Sequence, residues 1–564
     1  MRIAILDGYV DEPSCLGVPP SLSPYPRYLA GAIEEAGHQW VYLTADEARA
    51  AGLVHGTPTL PAPGAVQRAN EKAVLFRQCG LLAITGGASV PGKYLRGMPL
   101  SVNEMAEVAS AFRGDVLAGG PLARFSAGNL ERFRSLFAHL ARKDAEASLF
   151  DFLEGRGWGD RDRTPEEEER WAVRGAALAA QHPDCPRPLL AELSLYRGCV
   201  RHFSGGCGFC TDILYGAPVF RSPAGVASEV RALSRQGVVN FRLGGASCIF
   251  SYMAEGIGKS ETPRPDPGAV AALLDGIRGA APSLEVLHTD NANPAVMAAH
   301  PRESRRVLEL IAAHCTGGNV LSLGLESADP EVMRQNNLNA TPEQALLAIR
   351  MINEAGRERS PTGLPVLLPG LNFVCGLTGE TEATFDMDMA FLRSVMAEGL
   401  LLRRINIRQV LPLRHRYGQL RLRGAFQKFK DAVRKEIDHP LLLRLLPPGT
   451  VLRDVYPEVA LGKLTFGRQA GTYPLLVAVP GLEPGGEPSD VAIIDHGDRS
   501  VTALPSPIRL NRLSLYSLSL LPGIGRKRAA RLAVKRPFRS FEEAAAALDE
   551  HGLLEPLRPV LSFE

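Results

Sequence analysis

Charge of one sign is what this chain most plainly lacks: 63 Lys and Arg stand against 61 Asp and Glu, a formal net charge of +2 over 564 residues. No global field draws it to a polyanion, so any basic patch must be local. Long apolar runs are missing too. None approaches the ~20 residues of a membrane helix, and the N-terminal run Arg2–Leu6 stops at Asp7, too short for a signal-peptide core. A soluble, cytoplasmic protein with no membrane partner is expected. Cysteine is sparse: nine residues, an odd number, thinly spread. That argues against a disulfide framework and leaves metal binding or burial. The 45% apolar and 22% charged residues exclude a disordered or fibrous chain, and the length predicts three to five domains.

The fold class expected is a multi-domain α/β chain. Residues 1–145 read as Rossmann-like: strand runs at Arg2–Leu6, Trp40–Leu43, Leu81–Ile84 and Val116–Ala118, all but the second ending in glycine turns, with a helix over Tyr28–Gly37. Residues 146–190, charged and acidic at Glu166–Glu169, predict a helical linker with a solvated face from Pro165 onward. Residues 191–440 alternate strands (Glu192–Tyr196, Val238–Leu243, Leu284–His288, Val320–Leu325, Leu371–Cys375, Arg404–Val410) with helical segments, about six βα units of a full or partial parallel barrel. Residues 441–508 carry short, closely spaced strands with Gly/Pro turns, the pattern of a small β-barrel. Residues 509–564 are helical again.

Three cysteines stand together: Arg197-Gly198-Cys199, seven residues, then Cys207-Gly208-Phe209-Cys210. Three thiolates can fill three iron sites of a cubane and leave the fourth iron open. A structural zinc site is the competing reading, and it needs His202 as fourth ligand. The Cys-x-aromatic-Cys ending resembles the radical S-adenosylmethionine (SAM) superfamily, although the first gap there is normally three residues. Other segments follow in the order that resemblance implies. Leu243-Gly244-Gly245 resembles the Gly-Gly-Glu stretch for the methionyl amino group, with Ala246 in place of the acid, so that the carbonyls of Gly244 and Gly245 would serve. Glu326, after Leu323-Gly324-Leu325, would contact SAM. Gly376 lies in Gly376-Leu377-Thr378-Gly379-Glu380, similar to a Gly-Leu-Pro-Gly-Glu stretch near the adenine, and Arg408 lies on the last barrel strand. With Phe209 these are the candidate cofactor-binding residues; Cys199, Cys207 and Cys210 are the candidate ligands of a 4Fe-4S cluster. The resemblance implies that the reduced cluster cleaves SAM to a 5′-deoxyadenosyl radical that abstracts hydrogen from substrate, with ferredoxin or flavodoxin as electron donor.

A Rossmann-type domain before such a barrel resembles the cobalamin domain of B12-dependent members, and cobalamin is implied by that analogy alone. The Asp-x-His-x-x-Gly loop is absent; the first strand runs into Asp7-Gly8-Tyr9-Val10-Asp11-Glu12. Gly86-Gly87 and Gly119-Gly120 would cradle the corrin tail, or they are ordinary turns. Cys15, Cys79 and Cys185 do not match a second-cluster pattern and read as buried and inert.

Leu521-Pro522-Gly523-Ile524-Gly525 looks like the turn of a helix-hairpin-helix module. Gly523 and Gly525 would let backbone approach a phosphate, and Arg526 and Lys527 add charge for tRNA or DNA; packing or protein contact is the alternative. Phe466–Gln469 and Tyr473 are exposed-loop candidates for base contact, or barrel core and turn. The basic run Arg403 to Lys435 reads as a solvated helix face or as a track for polyanion. His288, Asp290 and Asn291 either face substrate or bond loop backbone. The function expected is a radical SAM enzyme modifying a nucleic acid, tRNA favoured, by methylation or group insertion. The alternatives are one acting on a small molecule or protein side chain, or a zinc-stabilised nucleic-acid-binding scaffold without catalysis.

Overall fold

The first run of β-branched and aliphatic residues becomes β1 (Arg2–Asp7), and everything in it from Ile3 onward is buried. The computed structural model describes residues 1–9, 21–60, 64–87, 95–414, 417, 422–548, 550 and 552–564; Cys15, Val10–Glu12, Arg416 and Arg421 lie outside them. After β2 (Ser21–Leu22) come β3 (Gln39–Thr44), β4 (Leu81–Thr85), β5 (Asp115–Gly119) and β6 (His139–Leu140). They form a parallel sheet in the order β3-β1-β4-β5-β6. Both faces of its centre are covered, which is why its strands read as continuous apolar runs rather than alternating ones.

β2 leaves that sheet. It pairs in parallel with β7 (Leu190–Ser194), the first strand of the next unit. Next β8 (Tyr196–Arg197) pairs antiparallel with β9 (Val219–Phe220), so the two bracket the cysteine loop. β10 (Asn240–Gly245), β11 (Val286–Thr289), β12 (Asn291–Ala292), β13 (Asn319–Glu326), β14 (Leu367–Cys375) and β15 (Ile405–Gln409) follow. The sheets β11-β10-β7-β2 and β12-β13-β14-β15 meet at Asp290, whose carbonyl accepts Ser322 N–H at 2.8 Å. Together they are an open parallel barrel, as the βα alternation predicts. Its helices start where the sequence says they should: Ser222, Asp266, Asn293, Asp329 and Thr341 each cap an N-terminus with proline in the first turn.

β16 (Val451–Leu461), β17 (Leu464–Arg468), β18 (Leu476–Pro480), β19 (Ser489–His496) and β20 (Ser500–Pro505) close into a barrel in the order β16-β17-β18-β20-β19. The chain ends in the helices Leu515–Ser519, Gly525–Lys535 and Phe541–Ala546, packed over Leu518, Leu521, Ile524 and Leu532.

Two expectations are overturned and a third is decided. The face from Pro165 onward is not solvated: Trp171 is fully buried, and Glu167 and Glu168 are buried with it. Arg161 holds Glu167 at 2.7 Å, Arg163 holds Glu168 at 2.8 Å and Arg221 holds Glu169 at 2.8 Å, so the acidic run is neutralised by arginines from elsewhere. Its helix lies so close to Pro24–Glu35 that a Cβ on Gly31 would stand 2.3 Å from the Trp171 carbonyl oxygen.

Of the two readings of Phe466–Gln469 and Tyr473, barrel core and turn is the one that holds, and Phe466–Arg468 is strand. Arg468 is buried against Glu458, Gln469 donates to the Thr362 and Arg453 carbonyls, and Tyr473 is 7% exposed. Last, Arg403 to Lys435 is not one track. Arg404 is buried on the Tyr473 ring, Arg414 bonds the cysteine loop and Arg434 pairs with Asp438. Sequence spacing cannot reveal partners that lie far along the chain. Cys79 is buried and Cys185 half-buried, their thiols against the Leu75 and Gln236 carbonyls.

Candidate active site

Cys199 follows β8 after the single residue Gly198, and its N–H donates to the Gly216 carbonyl at 3.3 Å. Gly198 sits at φ +94, where a Cβ would meet that same oxygen at 2.6 Å, so only glycine lets the loop close here. The four residues beyond the usual gap are accommodated by a tight turn, His202–Ser204, followed by Gly205 and Gly206 in the left-handed region. Asn337 pins that turn, donating to the Gly206 carbonyl at 2.9 Å and the Ser204 carbonyl at 3.2 Å. Arg414 binds the Cys207 and Cys210 carbonyls at 2.7 and 3.2 Å. Asn336 accepts Gly208 N–H at 2.8 Å and donates to the Thr378 carbonyl at 2.8 Å, stitching the loop to the turn after β14.

The three thiols lie in one field. Burial pushes Cys199 up to about 12 and holds Cys210 well above the ordinary thiol value, and Asp212 and Cys207 add to both; burial raises Cys207 as well, with the Arg201 guanidinium opposing it. Donors point at the sulfurs: Arg201 Nη1 lies 3.2 Å from Cys207 Sγ and the Arg201 backbone N–H 3.5 Å from Cys199 Sγ. A half-buried thiolate trio with N–H donors to sulfur fits the protein side of a cubane, whose iron charge offsets the cost of ionising the thiols. His202 Nδ1 sits 3.2 Å from the Cys199 carbonyl oxygen. Among the described residues no three His, Cys, Asp or Glu side chains are grouped to hold a single metal ion.

Beside the loop an open cavity of about 690 Å³ is lined by Gly198, Asp212, Ser194, Gly244, Ser247 and Asn291, with Tyr25, Asp144 and Arg163 on its far wall. It brings Gly244 and Gly245 together with Gly198 and Asp212, the residues that flank the cysteine loop. Both carbonyls already accept one backbone N–H, Gly244 from Ala246 at 2.9 Å and Gly245 from Leu195 at 3.1 Å, which leaves each a second lone pair. A Cβ on Gly245 would stand 2.7 Å from Ser194 Cα, so this glycine also serves close strand packing. Burial raises the Asp212 carboxyl to about 6.

Glu326 ends β13 at φ +69, past a register shift against β14. Burial raises its carboxyl to about 8 while Arg408 on β15 pulls it down, and its charge is felt at Cys207. Phe209 packs with Val374 and Leu377 beside Cys207, so the aromatic of the cysteine motif and the strand end before Gly376 share one small apolar cluster. Gly376, at φ +89, donates its N–H to Glu380 at 2.8 Å. Inside the barrel lies a polar layer that the sequence did not announce. Arg242 joins Glu192 at 3.0 Å and Asp290, and Asn372 joins Ser322 and Asn406, each at 3.0 Å. His288 accepts Thr472 N–H at 3.1 Å, the backbone role rather than a substrate-facing one.

Away from this site, Gly523 and Gly525 are left-handed and exposed, and Arg526 and Lys527 are exposed on the first turn of Gly525–Lys535. Arg528 instead braces the turn, donating to the Gly523 carbonyl at 2.7 Å. The glycine pairs of the first sheet serve each other: Gly86 N–H donates to the Gly119 carbonyl at 2.9 Å, and a Cβ on Gly120 would meet Gly86 at 3.0 Å. These contacts hold the two turns together at one end of the sheet.

The sequence reading missed Arg201, Asn336, Asn337, Arg414 and Asp212. The run Gln335-Asn336-Asn337-Leu338-Asn339 was the available signal, since so many side-chain amides between two helices need partners.

Residues 193–392 match the family model of the radical SAM superfamily. A protein of Archaeoglobus fulgidus described as uncharacterized is 40% identical over 563 residues, covering 98% of this chain and 99% of its own. A tRNA-2-methylthio-N(6)-dimethylallyladenosine synthase of Citrifermentans bemidjiense is 27% identical over 190 residues, 34% of this chain and 38% of its own. Among solved structures, the radical SAM methyltransferase TsrM of Kitasatospora setae, with cobalamin and a [4Fe-4S] cluster bound, matches at TM-score 0.45 and 14% identity, covering 72% of this chain and 74% of its own.

Proposed function

The chain belongs to the radical SAM superfamily, and from that premise we propose that it modifies a nucleic acid, tRNA before DNA, by methylation or group insertion at an unactivated carbon. It is a radical SAM enzyme, which implies a 4Fe-4S cluster, SAM and a source of electrons. The observation that carries the chemistry is the shared cavity: Gly198 and Asp212, which flank the cysteine loop on either side, line the same space as the Gly244–Ser247 turn. When bound, cluster and SAM supply a 5′-deoxyadenosyl radical by reductive cleavage of the sulfonium.

The chain's own residues do the rest. Cys199, Cys207 and Cys210 hold the cluster, and Arg201 supports Cys207 from outside. The free lone pairs of Gly244 and Gly245 receive the ammonium of SAM. Phe209, Gly376, Glu326 and Arg408 border the remainder of the cofactor. The polar layer from Glu192 to Asn406 closes the barrel below the site.

Two observations support nucleic acid. Arg526 and Lys527 stand exposed beside the left-handed glycines at the start of Gly525–Lys535, an arrangement suited to phosphate. The relative from Citrifermentans bemidjiense is named for a tRNA reaction. A small-molecule substrate is the second reading, favoured by the polar and charged side chains of Asp144, Arg163, Glu192, Asp212 and Asn291 that line the cavity.

Anaerobic incubation with SAM and dithionite, or with reduced ferredoxin or flavodoxin, should give 5′-deoxyadenosine. Cys207→Ala should lose iron and product together; full activity without iron defeats the reading. Binding to tRNA should weaken with salt, and Arg526→Ala with Lys527→Ala should reduce the slope of log affinity against log salt by about 2. Salt-independent or absent binding would leave the small-molecule reading.

A further inference from the structure

Arg403 and Arg404 precede β15 at the end of the open barrel opposite the cysteine loop. A narrow cleft open to solvent lies there, between the helix His439–Leu445 and the β19–β20 hairpin. Its walls are four leucines together with Arg403, Arg404, Arg499, Asp438 and Asp498.

The charges do not cancel. Asp438 is taken by Arg434, four residues before it on the same helical segment. Among the described residues no carboxylate lies within ion-pair distance of Arg403, Arg404 or Arg499. Counting Arg434, four guanidiniums face two carboxylates. Arg404 is 8% exposed; it stacks on the Tyr473 ring at 3.4 Å, and its Nη2 has no hydrogen-bond partner. Arg403 reaches only the Tyr473 carbonyl oxygen, at a long 3.5 Å. Burial, with Arg499 and Arg404 nearby, holds Arg403 down at about 10. A buried donor without a partner and an excess of like charge are both costly, and one anion removes both costs.

We propose that this cleft binds a phosphate group, held by the guanidinium forks of Arg403, Arg404 and Arg499. Planar forks match the oxygens of phosphate two at a time, and three forks suit a tetrahedral group better than a carboxylate with two oxygens. Arg499, exposed on the hairpin, stands at the mouth. The phosphate comes either from solution or from the backbone of a nucleic acid.

The test uses the full chain and inorganic phosphate, titrated calorimetrically at constant ionic strength with chloride as the balancing anion. Saturable binding is expected, weakened at least tenfold in Arg499→Gln, less in Arg499→Lys, and strengthened in Asp498→Asn. Both changed residues lie on the surface, and unchanged far-UV circular dichroism confirms that the variants fold. Competition by a short oligoribonucleotide assigns the phosphate to a nucleic-acid backbone; binding of phosphate without that competition assigns it to the free ion. Absence of saturable binding, or equal affinity in wild type and Arg499→Gln, overturns the site.

Discussion

Tyr473, carried by the small β-barrel, donates its hydroxyl to Asp290 inside the open parallel barrel. The same carboxylate is held by Arg242, which also binds Glu192 at 3.0 Å, so a residue from the appended barrel completes the floor of the catalytic one. Tyr473→Phe keeps the ring under Arg404 and removes one donor from a buried carboxylate. The expected cost is about 1–3 kcal/mol, read as a lower urea midpoint with an unchanged slope.

Asn337→Ala and Arg201→Gln leave all three cysteines in place and loosen what orients them. Outer supports of metal ligands typically contribute about 10–100-fold in affinity. Reconstituted variants should release iron to a chelator at least several-fold faster than wild type. Equal release rates would mean that the loop holds its shape without them.

His288 provides a pH dependence. Burial lowers it to about 4 in the folded chain, against about 6.5 when unfolded. Between those values the unfolded chain binds the additional proton, so stability is full above about 6.5 and declines as pH falls toward 4. The loss is of order 2–3 kcal/mol. His288→Gln, which can still accept Thr472 N–H, should flatten that part of the stability–pH curve. An unchanged curve would assign the acid sensitivity to other groups.

Gly31→Ala places a methyl where the Trp171 carbonyl already is. The helices Pro24–Glu35 and Pro165–Arg174 would have to part, at roughly 1–3 kcal/mol. Thermal unfolding should show a lower midpoint; an unshifted one would mean that the helix pair yields without cost.

The strands were readable because their apolar runs are long and end in glycine. Leu81–Ile84 and Val116–Ala118 each fall inside an observed strand, and Leu371–Cys375 is the end of β14. The cysteine loop was readable because three like residues at close spacing are rare by chance. What failed was environment. Glu166–Glu169 looks like a solvent face by composition, yet Arg161, Arg163 and Arg221 bury much of it. Tyr473 looks like a loop aromatic and is the floor of a barrel.

Sequence alone determined the order of the modules, the parallel alternation and the three thiols, since these depend on local periodicity and on residue chemistry. Tertiary structure alone decided that Asn336, Asn337, Arg201 and Arg414 hold the lengthened loop, and that arginines without a carboxylate partner among the described residues gather at the opposite end of the barrel. A side chain's partner is a matter of distance in space, and hydrogen bonds between residues more than a hundred positions apart leave no periodic trace along the chain.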